Sequence, residues 1–227
     1  MNNGISVQTE EVWTTAGLVK TADRPVAEIK RVEAMHEATV GEPAPMALFG
    51  FAVGTLLAGL VLTGDWPTAT LMAVIPMLLW FAGVGQFIGG LFGLAKGNTF
   101  AGTAFCSFGA GNVIIGSFLW MQSAGLIGRG TADFNMLGIA LLCLGYIALM
   151  LVIASLRTNA VYTAVLGTLT AGYILSGLPY LGASTVVGSI GGWCLVASAV
   201  LAFYAGGAVV VNSQWQREVI PVLSYRR

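Results

Sequence analysis

Side chains that could do chemistry are scarce in the apolar stretches of this sequence, and those present are neutral. The candidates for contact with a substrate are amides and hydroxyls: Gln86, Thr103, Ser107, Asn112, Thr168 and Thr170. These groups donate and accept hydrogen bonds, and leaving an amide uncompensated in hydrocarbon is costly. We therefore expect them to face either a partner helix or a hydrated path.

Asp, Glu, Lys, Arg and His are absent from the six longest apolar segments. The single histidine, His36, precedes the first of them, so neither a zinc site nor a Ser-His-Asp triad can be assembled there. Cys106, Cys143 and Cys194 lie in apolar runs without CxxC spacing and should pack as small apolar residues, with a disulfide or metal site a distant alternative. We expect no enzyme, no metal and no cofactor. The pattern favours a pore or carrier with apolar walls.

Composition places the chain in a membrane. Of its 227 residues 56% are hydrophobic and 9% are charged, whereas soluble domains contain about 25% charged residues. The net charge is zero and the basic residues are scattered, which argues against binding of nucleic acid. The first 40 residues contain no apolar core typical of a cleavable signal peptide.

The hydropathy pattern predicts an all-α, polytopic bundle of six transmembrane helices. The predicted spans are Met46–Leu62, Thr68–Ala95, Thr99–Met121, Asn135–Leu156, Ala160–Leu181 and Thr185–Val211. We expect three regions: an N-terminal segment (1–41), the transmembrane domain (42–211) and a C-terminal tail (212–227). Pro76 should kink the second span. Residues 26–35 suggest either a short amphipathic helix or part of a disordered tail.

Glycines are concentrated between Phe81 and Asn112, on both sides of the polar corner at residues 96–99. Gly85 and Gly89, like Gly89 and Gly93, form small-xxx-small pairs that let helices approach closely in lipid. The stretch therefore predicts a tight helical hairpin. Gln86 and Asn112 within it could equally line a pore or join the two helices.

The basic residues indicate the orientation. With six spans, nine of the ten basic residues fall on the side of the termini, and only Arg129 falls on the other. Cytoplasmic loops carry the excess of Lys and Arg, so both termini should be cytoplasmic.

Three motifs, in order, carry a family resemblance. They are EPAPMAL at residues 42–48, GQFIGGLFGLAKGNTFAGTAFCSFG at 85–109 and NSQWQREVIP at 212–221. The chain resembles the acetate uptake transporter family, the succinate-acetate permease-like proteins. The resemblance implies a plasma-membrane, multi-pass transporter or channel for acetate and other small carboxylates such as succinate, assembled as a homohexamer within membrane lipid.

The resemblance also implies site residues. Phe51, Phe108 and Leu169 would form an apolar constriction, and the motif Glu42, Pro43, Ala44 and Pro45 would stand at the start of the first span. Family members usually have tyrosine at the position of Phe108 and asparagine at that of Glu42. Glu42 could repel anions or bind a proton at a pore mouth, or simply favour the helix dipole.

Two other functions stay open at this stage. An apolar constriction would equally suit neutral molecules, such as ammonia or a protonated acid. The chain could also be a membrane sensor or assembly protein that binds a partner through its first 40 residues, although it offers no sizeable soluble domain.

Overall fold

The computed structural model describes residues 11–14, 17–20, 41–127 and 131–225, and the chain divides into two units, Met1–Gly41 and Glu42–Arg227. In the first unit, β1 (Glu11–Thr14) pairs antiparallel with β2 (Gly17–Lys20). The sequence pattern did not suggest this hairpin. The helix or disordered tail considered for residues 26–35 lies outside the described residues.

The second unit is helical. Its α-helices are α1 (Ala44–Leu62), α2 (Leu71–Pro76), α3 (Gln86–Ala95), α4 (Thr99–Ser123), α5 (Thr131–Ser155), α6 (Ala160–Gly177) and α7 (Thr185–Trp215). Short 3-10 helices occupy Thr68–Thr70 and Leu178–Leu181, and a π-helix occupies Met77–Gly85.

Six helical segments of the described chain are long and apolar enough to cross a membrane: Ala44–Leu62, Leu71–Ala95, Thr99–Ser123, Phe134–Ser155, Ala160–Leu181 and Thr185–Trp215. They are called the first to sixth spans below, and they confirm the predicted six-helix architecture. The sixth span ends at Trp215 rather than at the predicted Val211, since its apolar run stops before its helix does. Gln216, with a φ of +51°, ends the helix in the left-handed region.

The second span changes helix type where the sequence predicts a kink. Pro76 ends α2, and the next nine residues, Met77–Gly85, form a π-helix before α3 begins at Gln86. Proline lacks the N–H that an α-helical bond requires, so the helix cannot continue regularly through it. In a π-helix each backbone N–H bonds the carbonyl five residues earlier, whereas in an α-helix it bonds the carbonyl four residues earlier. The change of pitch alters the direction in which later side chains point.

The second and third spans form the predicted close hairpin. A Cβ added to Gly90 would lie 2.6 Å from the backbone nitrogen of Cys106, and one added to Gly109 would lie 2.6 Å from that of Phe87. Gly97, with a φ of +76°, turns the chain at the corner. Gly89 serves a different contact, because its added Cβ would lie 2.9 Å from Cβ of Ala47 in the first span.

The sixth span packs against both the first and the fifth. A Cβ on Gly192 would lie 2.6 Å from the backbone nitrogen of Thr63, and the Ser198 hydroxyl donates to the Val165 carbonyl at 2.8 Å. These contacts fix the relative positions of the helices that supply the walls of the cavity described next.

Candidate functional site

A cavity of about 390 Å³ opens among the first, second, third, fifth and sixth spans. Its walls are mostly apolar. The lining residues are Glu42, Ala44, Leu48, Phe51, Gln86, Asn98, Phe100, Ala101, Ala104, Phe105, Phe108, Thr158, Tyr162, Val165, Leu166, Leu169 and Val209. Glu42, Asn98 and Thr158 lie just before the first, third and fifth spans, so they mark the mouth of the cavity. The volume suits a molecule of a few heavy atoms together with water.

Phe51, Phe108 and Leu169 all line this cavity, more than one helical turn inward from the mouth. They are 3%, 2% and 0% exposed, and the ring centroids of Phe51 and Phe108 lie 6.3 Å apart. The structure thus brings together the three side chains that the resemblance assigned to a constriction. A constriction of such side chains holds no water, which opposes passage of hydrated ions.

Tyr173 extends this cluster and was missed in the sequence. Its ring centroid lies 6.0 Å from that of Phe108, and the residue is 4% exposed. Tyr173 follows Leu169 by four residues, and positions four apart share one helix face. That spacing could have identified it once Leu169 was singled out.

Gln86 is the polar side chain deepest in the cavity wall. It is 1% exposed, and its Nε2 has no hydrogen-bond partner in the described part of the chain. Asn112 donates to Gln86 Oε1 at 3.3 Å and to the Ala82 carbonyl at 3.1 Å. Of the two uses considered for these amides, Asn112 joins the helices and Gln86 lines the cavity. Gln86 thus carries an N–H donor without a partner in a side chain that lines the cavity.

The four candidate hydroxyls do not line this cavity. Thr170 is buried and donates to the Leu166 carbonyl at 2.8 Å, and Thr168 lies within reach of the Ala164 and Val165 carbonyls. Such bonds to the preceding turn are typical of helical threonines. Thr103 is exposed and Ser107 is partly exposed. A role for these four side chains along a substrate path stays a prediction.

The mouth carries an ion pair that the sequence did not reveal. Pro43 and Pro45 flank Ala44 at the start of the first helix, where a missing N–H costs little. Glu42 Oε1 accepts the Ala44 N–H at 3.2 Å, and Glu42 Oε2 lies 3.3 Å from Nζ of Lys96. Glu42 therefore accepts a backbone N–H at the helix start and also borders the cavity, while anion repulsion and proton binding by its carboxylate stay predictions.

The C-terminal motif holds the chain against the same end of the bundle. Oδ1 of Asn212 accepts the N–H groups of Val219 and Ile220 at 2.8 and 2.9 Å, and its Nδ2 donates to the Ile220 carbonyl at 2.8 Å. The chain then reaches the start of the fifth span, where the Ala160 N–H donates to the Leu223 carbonyl at 3.0 Å. The segment beyond the sixth span thus accepts the backbone N–H of Ala160, which lies between the cavity-lining residues Thr158 and Tyr162.

Metal-binding groups are not assembled in the described ranges, where no cluster of three His, Cys, Asp or Glu side chains occurs. The three cysteines are unpaired, and Cys106 packs against the second span with Sγ 3.8 Å from the Phe87 carbonyl.

Comparisons with known proteins agree with this geometry. The sequence model described as the GPR1/FUN34/yaaH family matches residues 27–225. The chain is 28% identical over 188 residues to the succinate-acetate/proton symporter SatP of Escherichia coli K12, covering 83% of this chain and 98% of the relative. It is 26% identical to the ammonia transport outward protein 2 of Saccharomyces cerevisiae, over 76% of this chain and 62% of that relative. A solved structure of the bacterial acetate channel SatP superimposes with a TM-score of 0.75 at 27% identity, covering 81% of this chain and 99% of that one.

Proposed function

Because the chain belongs to the GPR1/FUN34/yaaH family, we propose that it is a membrane transporter or channel for acetate and related small carboxylates. The observation that carries the proposal is the buried Nε2 of Gln86, which has no partner in the described part of the chain, in a side chain that lines the same cavity as Phe51, Phe108 and Leu169. The names of the bacterial relative and of the matching structure support acetate and succinate as the substrate class.

The cavity chemistry suits a carboxylate with a short apolar tail. The Gln86 N–H can donate to a carboxylate oxygen, and its Oε1 is held by Asn112, which fixes which end of the amide faces the substrate. The apolar walls favour a methyl group over the hydration shell of chloride. A substrate larger than the space among Phe51, Phe108 and Leu169 would be excluded.

The anion is the simplest permeant species. At pH 7 a carboxylic acid with a pKa between about 4 and 5 is less than about 1% protonated. The six spans contain no Asp, Glu, Lys, Arg or His that could hold a coupled proton. In this mechanism the carboxylate crosses the constriction as an anion, so its flux carries charge and responds to membrane voltage.

Neutral permeation is the second candidate, and two observations favour it. The constriction offers no charged group, and a yeast relative is named as an ammonia transport protein. A neutral molecule would lose less hydration than an anion on passing Phe51, Phe108 and Leu169.

Orientation and assembly form part of the proposal. We expect both termini on the cytoplasmic side of the plasma membrane, since the basic residues favour that arrangement. We also expect a homohexamer. Large apolar side chains exposed on the outer faces of the spans, such as Trp80, Ile114 and Val186, would contact lipid or neighbouring copies.

Flux of labelled acetate into proteoliposomes, with voltage and pH gradient set independently, tests the function. Anion passage predicts uptake that follows voltage at constant pH. Uptake that ignores voltage but rises steeply as the pH falls would identify the protonated acid as the permeant species. Uptake no faster than that of empty liposomes, with folded protein present, would contradict the proposal.

A further inference from the structure

Lys96 and Glu42 form the only ion pair found within the described ranges, and it stands at the mouth of the cavity. Nζ of Lys96 lies 3.3 Å from Oε2 of Glu42, and the two side chains are 24% and 46% exposed. Lys96 belongs to the corner between the second and third spans, whereas Glu42 precedes the first helix. The pair is thus accessible to a solute that approaches the cavity.

The rest of the mouth offers weaker donors to an anion. Oδ1 of Asn98 accepts the Ala101 N–H at 3.0 Å, and the Thr158 hydroxyl donates to the Ser155 carbonyl at 2.7 Å. Glu42 is the one charged residue among those lining the cavity. Lys96 is a cation that contacts the cavity lining through Glu42, so its present partner is a carboxylate.

We propose that Lys96 is an outer binding site for the substrate's carboxylate and that Glu42 occupies this site as a tethered competitor. The inference rests on the proposed function, since it takes a small carboxylate as the ligand. An ammonium group binds any carboxylate in the same way, through charge and up to three N–H donors. An incoming acetate can therefore replace Glu42 at Nζ.

Displacement of Glu42 costs little because its carboxylate has a second partner. Oε1 accepts the Ala44 N–H at the start of the first helix, where the helix dipole also favours negative charge. When acetate takes Lys96, the Glu42 carboxylate can stay at the helix start. The strength of an exposed ion pair corresponds to about a twofold to fivefold change in an equilibrium constant.

Acetate binding to the detergent-solubilised full chain tests this site independently of transport. Saturation-transfer NMR at the acetate methyl protons gives an apparent Kd in wild type, Glu42→Gln, Lys96→Gln, Lys96→Arg and the double variant Glu42→Gln/Lys96→Gln. Glu218→Gln is the matched control, because Glu218 is an exposed carboxylate that likewise accepts a backbone N–H, from Val222, and does not line the cavity.

The competitor model predicts a distinct pattern. Glu42→Gln should lower the Kd about twofold to fivefold, Lys96→Gln should raise it, and Lys96→Arg and Glu218→Gln should resemble wild type. The double variant should match Lys96→Gln, since without Lys96 there is nothing to compete for. Retained binding by Lys96→Arg shows that the Lys96→Gln loss is not a folding defect.

Three results would overturn the inference. An unchanged or raised Kd in Glu42→Gln would show that Glu42 does not compete. An unchanged Kd in Lys96→Gln would remove the outer site. An equal gain from Glu42→Gln in the presence and absence of Lys96 would mean that Glu42 only repels anions. If the variants show this binding pattern but the protein does not transport acetate, the proposed function is wrong and the outer binding site stands.

Discussion

Nδ2 of Asn112 lies 3.3 Å from Oε1 of Gln86 and 3.1 Å from the carbonyl oxygen of Ala82, so one side chain contacts both a cavity-lining amide and the π-helix. Asn112 thereby fixes the orientation of Gln86 and leaves Nε2 as the end without a partner. The two amides have separable roles, which substitution can distinguish.

Gln86→Leu should reduce acetate flux about tenfold or more, because a hydrogen bond to a charged group contributes about 1.5–3 kcal/mol. Stability should change little, since the lost Nε2 is a buried donor without a partner, and Asn112, which loses Oε1 of Gln86, keeps its bond to the Ala82 carbonyl. Asn112→Ala is the comparison, and it should lower both flux and thermal stability because it also breaks the bond to Ala82. Proteoliposome uptake and thermal unfolding in detergent measure the two effects. A stable Gln86→Leu variant with normal flux would contradict the role of Nε2.

Leu169→Ala should widen the constriction, raise acetate flux and admit larger carboxylates. Removing a fully buried leucine side chain also destabilises the fold by about 2–5 kcal/mol. Leu78→Ala is the matched control, because Leu78 is 1% exposed but does not line the cavity. Uptake assays with acetate, propionate and butyrate compare the two. Equal substrate ranges in both variants would show that Leu169 only packs the core.

Gly90→Ala should reduce the yield of folded protein, since its Cβ would lie 2.6 Å from the backbone nitrogen of Cys106. Gly167→Ala makes the same chemical change within a helix, but apart from the adjoining residues and backbone of that helix no atom lies within 4 Å of the new Cβ. The size-exclusion peak of folded protein should therefore be smaller, and the unfolding temperature lower, for Gly90→Ala than for wild type. For Gly167→Ala both should be unchanged or higher. Similar behaviour of the two would refute the close contact between the second and third spans.

Asn212→Ala should loosen the C-terminal segment, because it removes three hydrogen bonds to Val219 and Ile220. We expect faster hydrogen exchange and proteolysis in residues 217–225, at a cost of about 1–2 kcal/mol in stability. Ser213→Ala is the neighbouring control, since its hydroxyl bonds only the Val210 carbonyl of its own helix. Unchanged exchange in Asn212→Ala would mean that other contacts hold the segment.

Leu126→Cys should react with an impermeant thiol reagent added outside intact cells, whereas a cysteine at Leu223 should react only after the membrane is opened. Both positions are exposed, at 69% and 65%, and lie at opposite ends of the bundle. Cys106, Cys143 and Cys194 must first be replaced by alanine. The reverse labelling pattern would overturn the orientation inferred from the basic residues.

Hydropathy and motif order were sufficient to predict the six spans and the family, which the family match and the structural match confirm. The face that each polar side chain presents could not be predicted in the same way. A regular helix turns about 100° per residue, and the π-helix before Gln86 alters that progression. Thr103 and Gln86 are both polar residues in apolar runs, so the sequence predicts the same role for both. In the structure Thr103 is exposed, whereas Gln86 lines the cavity.

Long-range pairings were equally hidden. Glu42 and Lys96 are 54 positions apart, and nothing in either local pattern indicates that their side chains meet. Tyr173 differs, because its spacing from Leu169 placed it on the same face once the constriction was assigned. The π-helix, the ion pair and the bonds of Asn212 all depend on which helices become neighbours.

The bond between Ala160 and Leu223 also sets an order on biosynthesis. The fifth span contributes Leu166 and Leu169 to the cavity, but the N–H of Ala160 at its start is bonded by a residue that follows the sixth span. The start of the fifth span therefore lacks this bond until the chain beyond the sixth span has been synthesised. The mouth of the cavity reaches its final form only after all six spans have been synthesised and have assembled.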